Sequence, residues 1–520
     1  MLFAIACIWL RPLWPVDETR YASVAWEMWL RGDFLVPHIN GEPYSHKPPL
    51  LFWLIHAGWA LFGVNDWWPR LVAPLCALAA VPLLLKLEKL LWNEKQEQNS
   101  ASIWVLFGTL LFAVFVTLTM FDLLLMLCTM AGMIGILKSV NRQRISGLLW
   151  LGAGIGLGVL AKGPVILLLV LPTAMVAPWW APSLKGRLLR WYLDLLLAVL
   201  LGAALALAWA LPAAYFGGEA YRHAIFWGQT AGRVSESFAH RAPWWHYMPL
   251  LPLILFPWFV WAPFWKGLHA IRGELPVRFL AAWLLLTLLG FSLVSGKQAK
   301  YLVPFLPAFA LLAGRALTQL RAAPRAWEIL LPAAGFIALP AVLAWLRAHP
   351  ESMRLPDWAG DLPLWPLVLL ACVAPVLLVS GRMQTLKQMR ALSFAVLVGA
   401  AVLGAGLLPA FVPHGDPRPA ARVLADLEAQ RVPVAYFGKY HAIYNFVGRL
   451  RTPIDILGEE EVRGWVKAHP GGRVLVVERQ RLEAGPATAG GGPEQQMRFR
   501  GAWLQLWRGE ALLLARPELR

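Results

Sequence analysis

The chain alternates between long apolar runs and short polar breaks over its first four-fifths. Apolar stretches of about 15 to 20 residues recur, which is the pattern of a polytopic membrane protein. Thirteen spans are predicted: 1–14, 69–88, 101–119, 121–138, 146–161, 163–181, 191–212, 246–265, 279–295, 301–315, 327–346, 362–380 and 391–412. The first is short, since fourteen helical residues reach ~21 Å against a ~30 Å hydrocarbon core. Either it continues upstream of Met1 or it lies shallow. With no basic n-region or A-x-A site before the polar loop, it does not read as a cleavable signal peptide. One break stands out. Residues 14–54 carry Asp17, Glu18, Arg20, Glu27, Asp33, His38, Asn40, Glu42, Tyr44, His46 and Lys47 between two apolar runs. Within it, 20–30 has helical apolar spacing, and Pro48-Pro49 opens a second helical run over 48–62, where a first-turn proline costs little. Both are expected to lie on the membrane surface.

From 413 the pattern changes. Pro413 to Pro419 reads as a linker, 419–431 as a helix, and 432–437, 473–477 and 503–507 as strands. The expected architecture is therefore an all-α polytopic membrane bundle (1–412, outer loop 15–68) followed by a small soluble α/β domain (413–520). Gly485–Pro493 reads as a flexible Gly/Pro-rich segment.

Composition agrees with this. The 520 residues are 58% apolar and only 15% charged, with mean hydropathy +0.56, where a soluble protein carries about 25% charged residues. The 29 tryptophans gather at span ends, as in Trp67-Trp68, Trp179-Trp180 and Trp244-Trp245, like interfacial belts. A net charge of +17 would suggest nucleic acid on a soluble protein, but no basic nucleic-acid motif is present. Instead the cations alternate between loops. Lys86/Lys89/Lys95, Lys138/Arg142/Arg144, Lys185/Arg187/Arg190, Lys266/Arg272/Arg278, Arg315/Arg321/Arg325 and Arg382/Lys387/Arg390 fall on one side of a thirteen-span chain. By the positive-inside rule that side is cytoplasmic. The polar loop, the 213–245 loop, the 295–300 turn and everything after 412 are then outside. Cys7, Cys76, Cys128 and Cys372 lie in apolar runs, as core residues rather than disulfide partners.

Every candidate for chemistry lies on that outer face. An ionisable residue at the lip of a bundle is expensive and so functional by default. Asp17-Glu18 follows the first span directly, either as a carboxylate facing a lumen, to bind a substrate hydroxyl or amine or act as base, or as a solvated pair capping the helix 19–30; one acid could do each job. Asp122 is a lone carboxylate at the start of a span, either a cap or a second acid in the same cavity. Lys47, Lys162, Arg233, Arg241, Lys297 and Lys300 stand at outer span ends, against the positive-inside tendency. Singly each could snorkel, but as a set they suit a phosphate or diphosphate. No Walker loop, Rossmann fingerprint or HExxH occurs. No motif supports a divalent metal; His46 with His223, His240 or His246 is the one arrangement to weigh against ordinary interfacial histidine. A transporter would show internal repeats and mid-bilayer charges, and neither is found. A non-catalytic scaffold acting through the C-terminal domain is the third class.

DETRY (17–21), GDFLVPHINGEPYSHKPPL (32–50), Asp122, AKGP (161–164), WGQTAGRV (227–234), APWWHYMPLLP (242–252) and SGKQAKYLVPFLPA (295–308) come in order. Together they resemble the polyprenyl-phosphate-dependent GT-C glycosyltransferases. The branch that transfers aminoarabinose from undecaprenyl phosphate to lipid A is the nearest in pattern, and protein O-mannosyltransferases are more distant. The resemblance implies a bacterial inner-membrane enzyme that moves a sugar, such as 4-amino-4-deoxy-L-arabinose, from undecaprenyl phosphate to a periplasmic acceptor. It implies a catalytic or acceptor-orienting role for Asp17, with Asp122 as the second outer acid. Tyr44, Lys47, Arg233, Lys297 and Tyr301 would face the donor phosphate, and Glu18, Arg20, His46, Lys162, Arg241 and Lys300 are further candidates. Two positions depart from that branch: His46 stands where it has Glu, and Gln229-Thr230 where it has His-containing sequence.

Overall fold

The computed structural model describes residues 2–92, 101–228, 241–320, 324–353, 355, 357–479, 482 and 492–519. Eight helices among them are long and apolar enough to cross a bilayer: Trp67–Trp92, Asp122–Val140, Arg144–Lys162, Leu188–Phe216, Leu275–Leu293, Ala299–Thr318, Ala326–Ala348 and the helical stretch from Thr385. Each overlaps a predicted span.

The other five predicted spans are not continuous helices, and their sequences explain why. The first forms only Leu2–Leu10. The 101–119 run splits into Ala101–Phe107 and Leu110–Phe115, because Thr109 is extended. The break is re-satisfied internally, as irregular backbone among apolar neighbours requires. Leu110 N–H donates to the Phe256 carbonyl (3.0 Å), and Thr109 Oγ1 accepts from Trp258 Nε1 (3.0 Å). The 163–181 run is divided at Val176, just before Pro178. In 362–380 the first helix ends at Ala371, the residue whose carbonyl Pro375 would clash with. The 246–265 run, with Pro249, Pro252, Pro257 and Pro263, becomes 3₁₀ turns and short helices at Trp244–Leu250, Leu251–Ile254 and Ala262–Ile271.

The two loop helices form as Asp17–Arg31 and Leu50–Phe62. They pack against each other, with His56 Nε2 on the Ala25 carbonyl (2.8 Å). Between them, His38–Ile39 and Glu42–Pro43 form a small antiparallel ribbon. Asp122–Val140 and Arg144–Lys162 form a tight antiparallel hairpin. Gly135 and Gly154 allow its close approach: a Cβ on Gly154 would lie 2.6 Å from the Gly132 nitrogen, and one on Gly135 2.4 Å from the Leu151 nitrogen.

The predicted linker at 413–419 is shorter than expected, since the last long helix runs on to Gly415 and the next starts at Arg418. The C-terminal sheet has five strands in the order Asp455–Leu457, Val434–Phe437, Arg473–Glu478, Ala502–Arg508, Gln495–Phe499. The first three are parallel and the last two pair antiparallel. Side chains alternate across it. Tyr436, Leu475, Leu504 and Leu506 pack beneath helix Arg418–Ala429, while Ala435, Val474, Val476 and Trp507 pack against helices Val462–Ala468 and Gly509–Ala515. Strands 455–457 and 495–499 and the last two helices, at three, five and seven residues, are too short for a period to show in the sequence. Of the Gly/Pro-rich segment, 485–491 lies outside the described residues.

Candidate active site

Helix Asp17–Arg31 starts with two acids that go to different places. Glu18 turns inward and is 1% exposed. It takes the Arg11 guanidinium as a two-pronged ion pair, the Trp14 N–H at 2.8 Å and the Thr119 N–H at 2.7 Å. Arg11 also donates to the Thr117 carbonyl at 2.6 Å. Glu18 thus ties the end of the first helix, the loop helix and the 117–119 turn together. The solvated capping pair among the readings of Asp17-Glu18 does not form: Val16 occupies the cap position, and no side-chain cap bond is made.

Asp17 turns outward into a ring of cations. Lys300 Nζ lies 3.1 Å from its Oδ2, and Arg20, one turn along the helix, pairs with Oδ1. Burial alone would raise this carboxyl's pKa, but Lys300, Arg20 and Lys47 outweigh it and hold the group below the usual carboxylate range. Tyr21 stands behind. Its phenol is pushed well above the ordinary value by burial and by the negative charge of Asp17, with Tyr44 and Asp122 adding to the shift. Its ring meets Phe121 edge-on at 4.8 Å, and the Lys47 ammonium lies 5.8 Å from the Phe121 centroid. Tyr44 is buried and stacks on His46 at 5.3 Å.

The helical hairpin supplies the far wall. In an antiparallel pair of equal length the first residue of one helix meets the last of the other. Here Lys162 Nζ donates to Asp122 Oδ1 at 2.5 Å, with side-chain exposures of 11% and 3%. Asp122 is at a helix N-terminus and Lys162 at a C-terminus, so each also suits the local dipole. The capping alternative for Asp122 is not realised, since Phe121 holds the cap position. Lys162 lies 4.9 Å over the Tyr301 ring, which stacks on Phe291 at 5.7 Å.

The structure therefore brings together Asp17, Arg20, Tyr44, Lys47, Asp122, Lys162, Lys300 and Tyr301. Lys297 is elsewhere. It is 5% exposed and donates to the Ala242 and Val294 carbonyls at 2.9 and 2.6 Å. Together with the bridge between Arg241 and Gly296, it fastens the 241–242 segment to the 294–298 turn. Arg233, Gln229, Thr230 and His240 lie outside the described residues. His223 ends helix Gly218–His223 and His246 sits in Trp244–Leu250. No three His, Cys, Asp or Glu side chains converge as a metal site among the described residues. Tyr21 and Phe121 belong to the site although sequence reasoning assigns neither a role, Tyr21 standing only as the last residue of DETRY and Phe121 only in an apolar run. The available clue was position, four residues after Asp17 and one before Asp122. Four cations, Arg20, Lys47, Lys162 and Lys300, face two carboxylates, and this positive excess beside aromatic rings suits an anionic headgroup on an apolar tail.

The helical fold with its C-terminal sheet is that of ArnT from Cupriavidus metallidurans. The apo structure of that protein aligns with TM-score 0.74 at 20% identity, over 92% of this chain and 90% of its own. The form bound to undecaprenyl phosphate aligns with TM-score 0.71 at 21% identity, over 92% and 91%. A family model described as dolichyl-phosphate-mannose-protein mannosyltransferase matches residues 46–216.

Among curated proteins, the chain is 33% identical over 322 residues to undecaprenyl phosphate-alpha-4-amino-4-deoxy-L-arabinose arabinosyl transferase 2 of Pseudomonas fluorescens, covering 59% of this chain and 56% of that one. It is 34% identical over 340 residues to the corresponding transferase of Pseudomonas paraeruginosa, covering 61% and 59%. The matches span less than two thirds of those relatives' length. The resemblance to polyprenyl-phosphate-dependent GT-C glycosyltransferases carried by the motifs is thus found again in sequence relatives and in fold, and the chain is a multi-pass membrane protein.

Proposed function

We propose that this chain is a membrane glycosyltransferase. It moves a sugar, with 4-amino-4-deoxy-L-arabinose as the first candidate, from undecaprenyl phosphate to an acceptor such as lipid A. The observation that carries the reading is the cation-ringed Asp17 beside the Asp122–Lys162 pair. In the proposed topology thirteen spans cross a bacterial inner membrane, broken ones included, and the site and residues 413–520 face the periplasm. The proposed domains are 1–412 and 413–520.

The chemistry follows from the residue types. The bond that breaks joins the anomeric carbon to a phosphate oxygen, and the phosphate leaves with the electron pair. Prepositioned Lys47, Lys162 and Lys300 would stabilise the charge that builds on it, with Arg233, Tyr44 and Tyr301 as further donor-side groups. The leaving group is already an anion, so no general acid is needed. A phosphate acceptor attacks without losing a proton, and Asp17 then orients acceptor or sugar. A hydroxyl acceptor would require Asp17 as base, for which its ionised state is suited. Apolar surface between spans and loop helices would hold the polyprenyl tail. Transfer to a protein or another glycolipid is the second reading, favoured by the mannosyltransferase family model over 46–216.

The test is transfer by purified Asp17→Asn and Lys47→Ala proteins expressed at the native level. Each should lose about a hundredfold or more in rate. Undiminished transfer by either would remove its assigned role.

A further inference from the structure

The C-terminal sheet is built into the mouth of the site. Val16, the residue before Asp17, packs against the C-terminal cluster that contains Tyr436, Tyr444 and Phe499. Two turns further along the same helix, Ser23 Oγ donates to the Ala442 carbonyl at 2.7 Å and accepts the Phe446 N–H at 3.0 Å. Trp26 Nε1 then donates to the Leu450 carbonyl at 2.8 Å, and Phe446 stacks on Trp59 at 5.2 Å. The stretch of helix bearing Asp17 and Arg20 is therefore held between two contacts with the C-terminal unit.

Two loops of that unit border this stretch. Residues 438–442 leave the sheet at Gly438 (φ 90°) and end at the Ser23 clamp, carrying exposed Lys439 and His441. The 499–502 turn is pinned by Arg500 N–H donating to the His414 carbonyl at 2.6 Å and carries the exposed Arg500 side chain. Arg20, Arg500, Lys439 and Asp17 all lie close enough to His441 to act on its ionisation; the partial desolvation of its ring and the three cations lower its pKa, against Asp17. Within this group Asp17 is the single anion, and it is already matched by Lys300 and Arg20. A cationic lip that its own acid does not neutralise is the electrostatic complement of a phosphomonoester.

We propose that Lys439, His441 and Arg500 of the C-terminal unit, with Arg20, form the acceptor subsite and bind the phosphate of a phosphorylated glycolipid next to Asp17. This rests on the transferase reading and deepens it. The donor phosphate goes to Lys47, Lys162 and Lys300, and the acceptor phosphate to the lip. The C-terminal unit is then part of the site rather than an appendage.

The test is binding by the full-length chain in phosphatidylcholine nanodiscs, comparing native protein with the Lys439→Gln/Arg500→Gln variant. The ligands are lipid A, the same lipid A after phosphatase treatment, and undecaprenyl phosphate. The variant should bind lipid A about tenfold or more weakly, bind undecaprenyl phosphate as the native protein does, and match native protein on dephosphorylated lipid A. Equal lipid A binding by both proteins overturns the proposal. So does parallel loss of undecaprenyl phosphate binding, or failure of the native protein to prefer the phosphorylated lipid. Loss of that preference when phosphatidylglycerol replaces phosphatidylcholine would mark a general anionic-surface contact and overturn it too. Native protein that binds lipid A through the lip but transfers no sugar would sink the transferase reading while leaving the lip standing.

Discussion

At the scale of single residues, neighbouring acids divide the work. Glu18 is buried, paired and hydrogen-bonded on all sides, so neutralising it leaves the Arg11 charge uncompensated. Glu18→Gln should lower stability by about 3–5 kcal/mol, seen as a drop in melting temperature in detergent. Asp17→Asn should lower the melting temperature less than Glu18→Gln does, because the Asp17 side chain is 28% exposed, while losing transfer. A Glu18→Gln protein as stable as the native one would refute the latch. The Asp17 carboxyl is held below the usual range because Lys300, Arg20 and Lys47 outweigh its burial. Such a depressed group contributes stability above its unfolded pKa, about 3.9, and loses it as pH falls through the lower folded value. The acid limb of kcat/KM should therefore fall below about pH 4 and move up in Lys300→Met; an unmoved limb would show that Lys300 does not set it. This is also where sequence legibility stops. The turn 295–300 offers two lysines three residues apart, and nothing local says that Lys297 caps carbonyls while Lys300 reaches Asp17. That choice depends on how Ala299–Phe305, packed against helix Asp122–Val140, carries Lys300 to Asp17.

Elements were more legible, because periodicity and length are local properties. The helices at 17–31 and 50–62, the eight long spans and three of the five C-terminal strands follow from apolar spacing alone. The five broken spans do not, since a window average over 101–119 or 246–265 sees hydrophobicity and not the partners that let Thr109 or the proline cluster leave the helix. The hairpin 122–140/144–162 shows how an element sets chemistry at its end. A methyl added at Gly154 would meet backbone of the facing helix at Gly132 and Cys128. Gly154→Ala should thus force the two helices apart, cost about 1–3 kcal/mol and weaken transfer by loosening Asp122 from Lys162. Native melting and native transfer in that variant would show that the close approach is not needed.

For the whole molecule, the contact between C-terminal unit and outer loop was hidden from the sequence. It joins residues some four hundred positions apart: Ser23 with Ala442, Trp26 with Leu450, and Asn40 with the Ile454 carbonyl at 2.8 Å. Of these only Asn40 belongs to a motif, and nothing in that motif names its C-terminal partner, whereas the outer-loop acids and cations stood in motifs together, so the reaction class could be read before the acceptor side. The central claim is transfer of a sugar from undecaprenyl phosphate, and it is tested most directly in a strain lacking this gene, by mass spectrometry of lipid A and of polyprenyl-phosphate sugars. Loss of one sugar addition from lipid A, with accumulation of the matching undecaprenyl-phosphate sugar and restoration by the native gene but not by Asp17→Asn, is the predicted result. Unchanged amounts of both pools would contradict it.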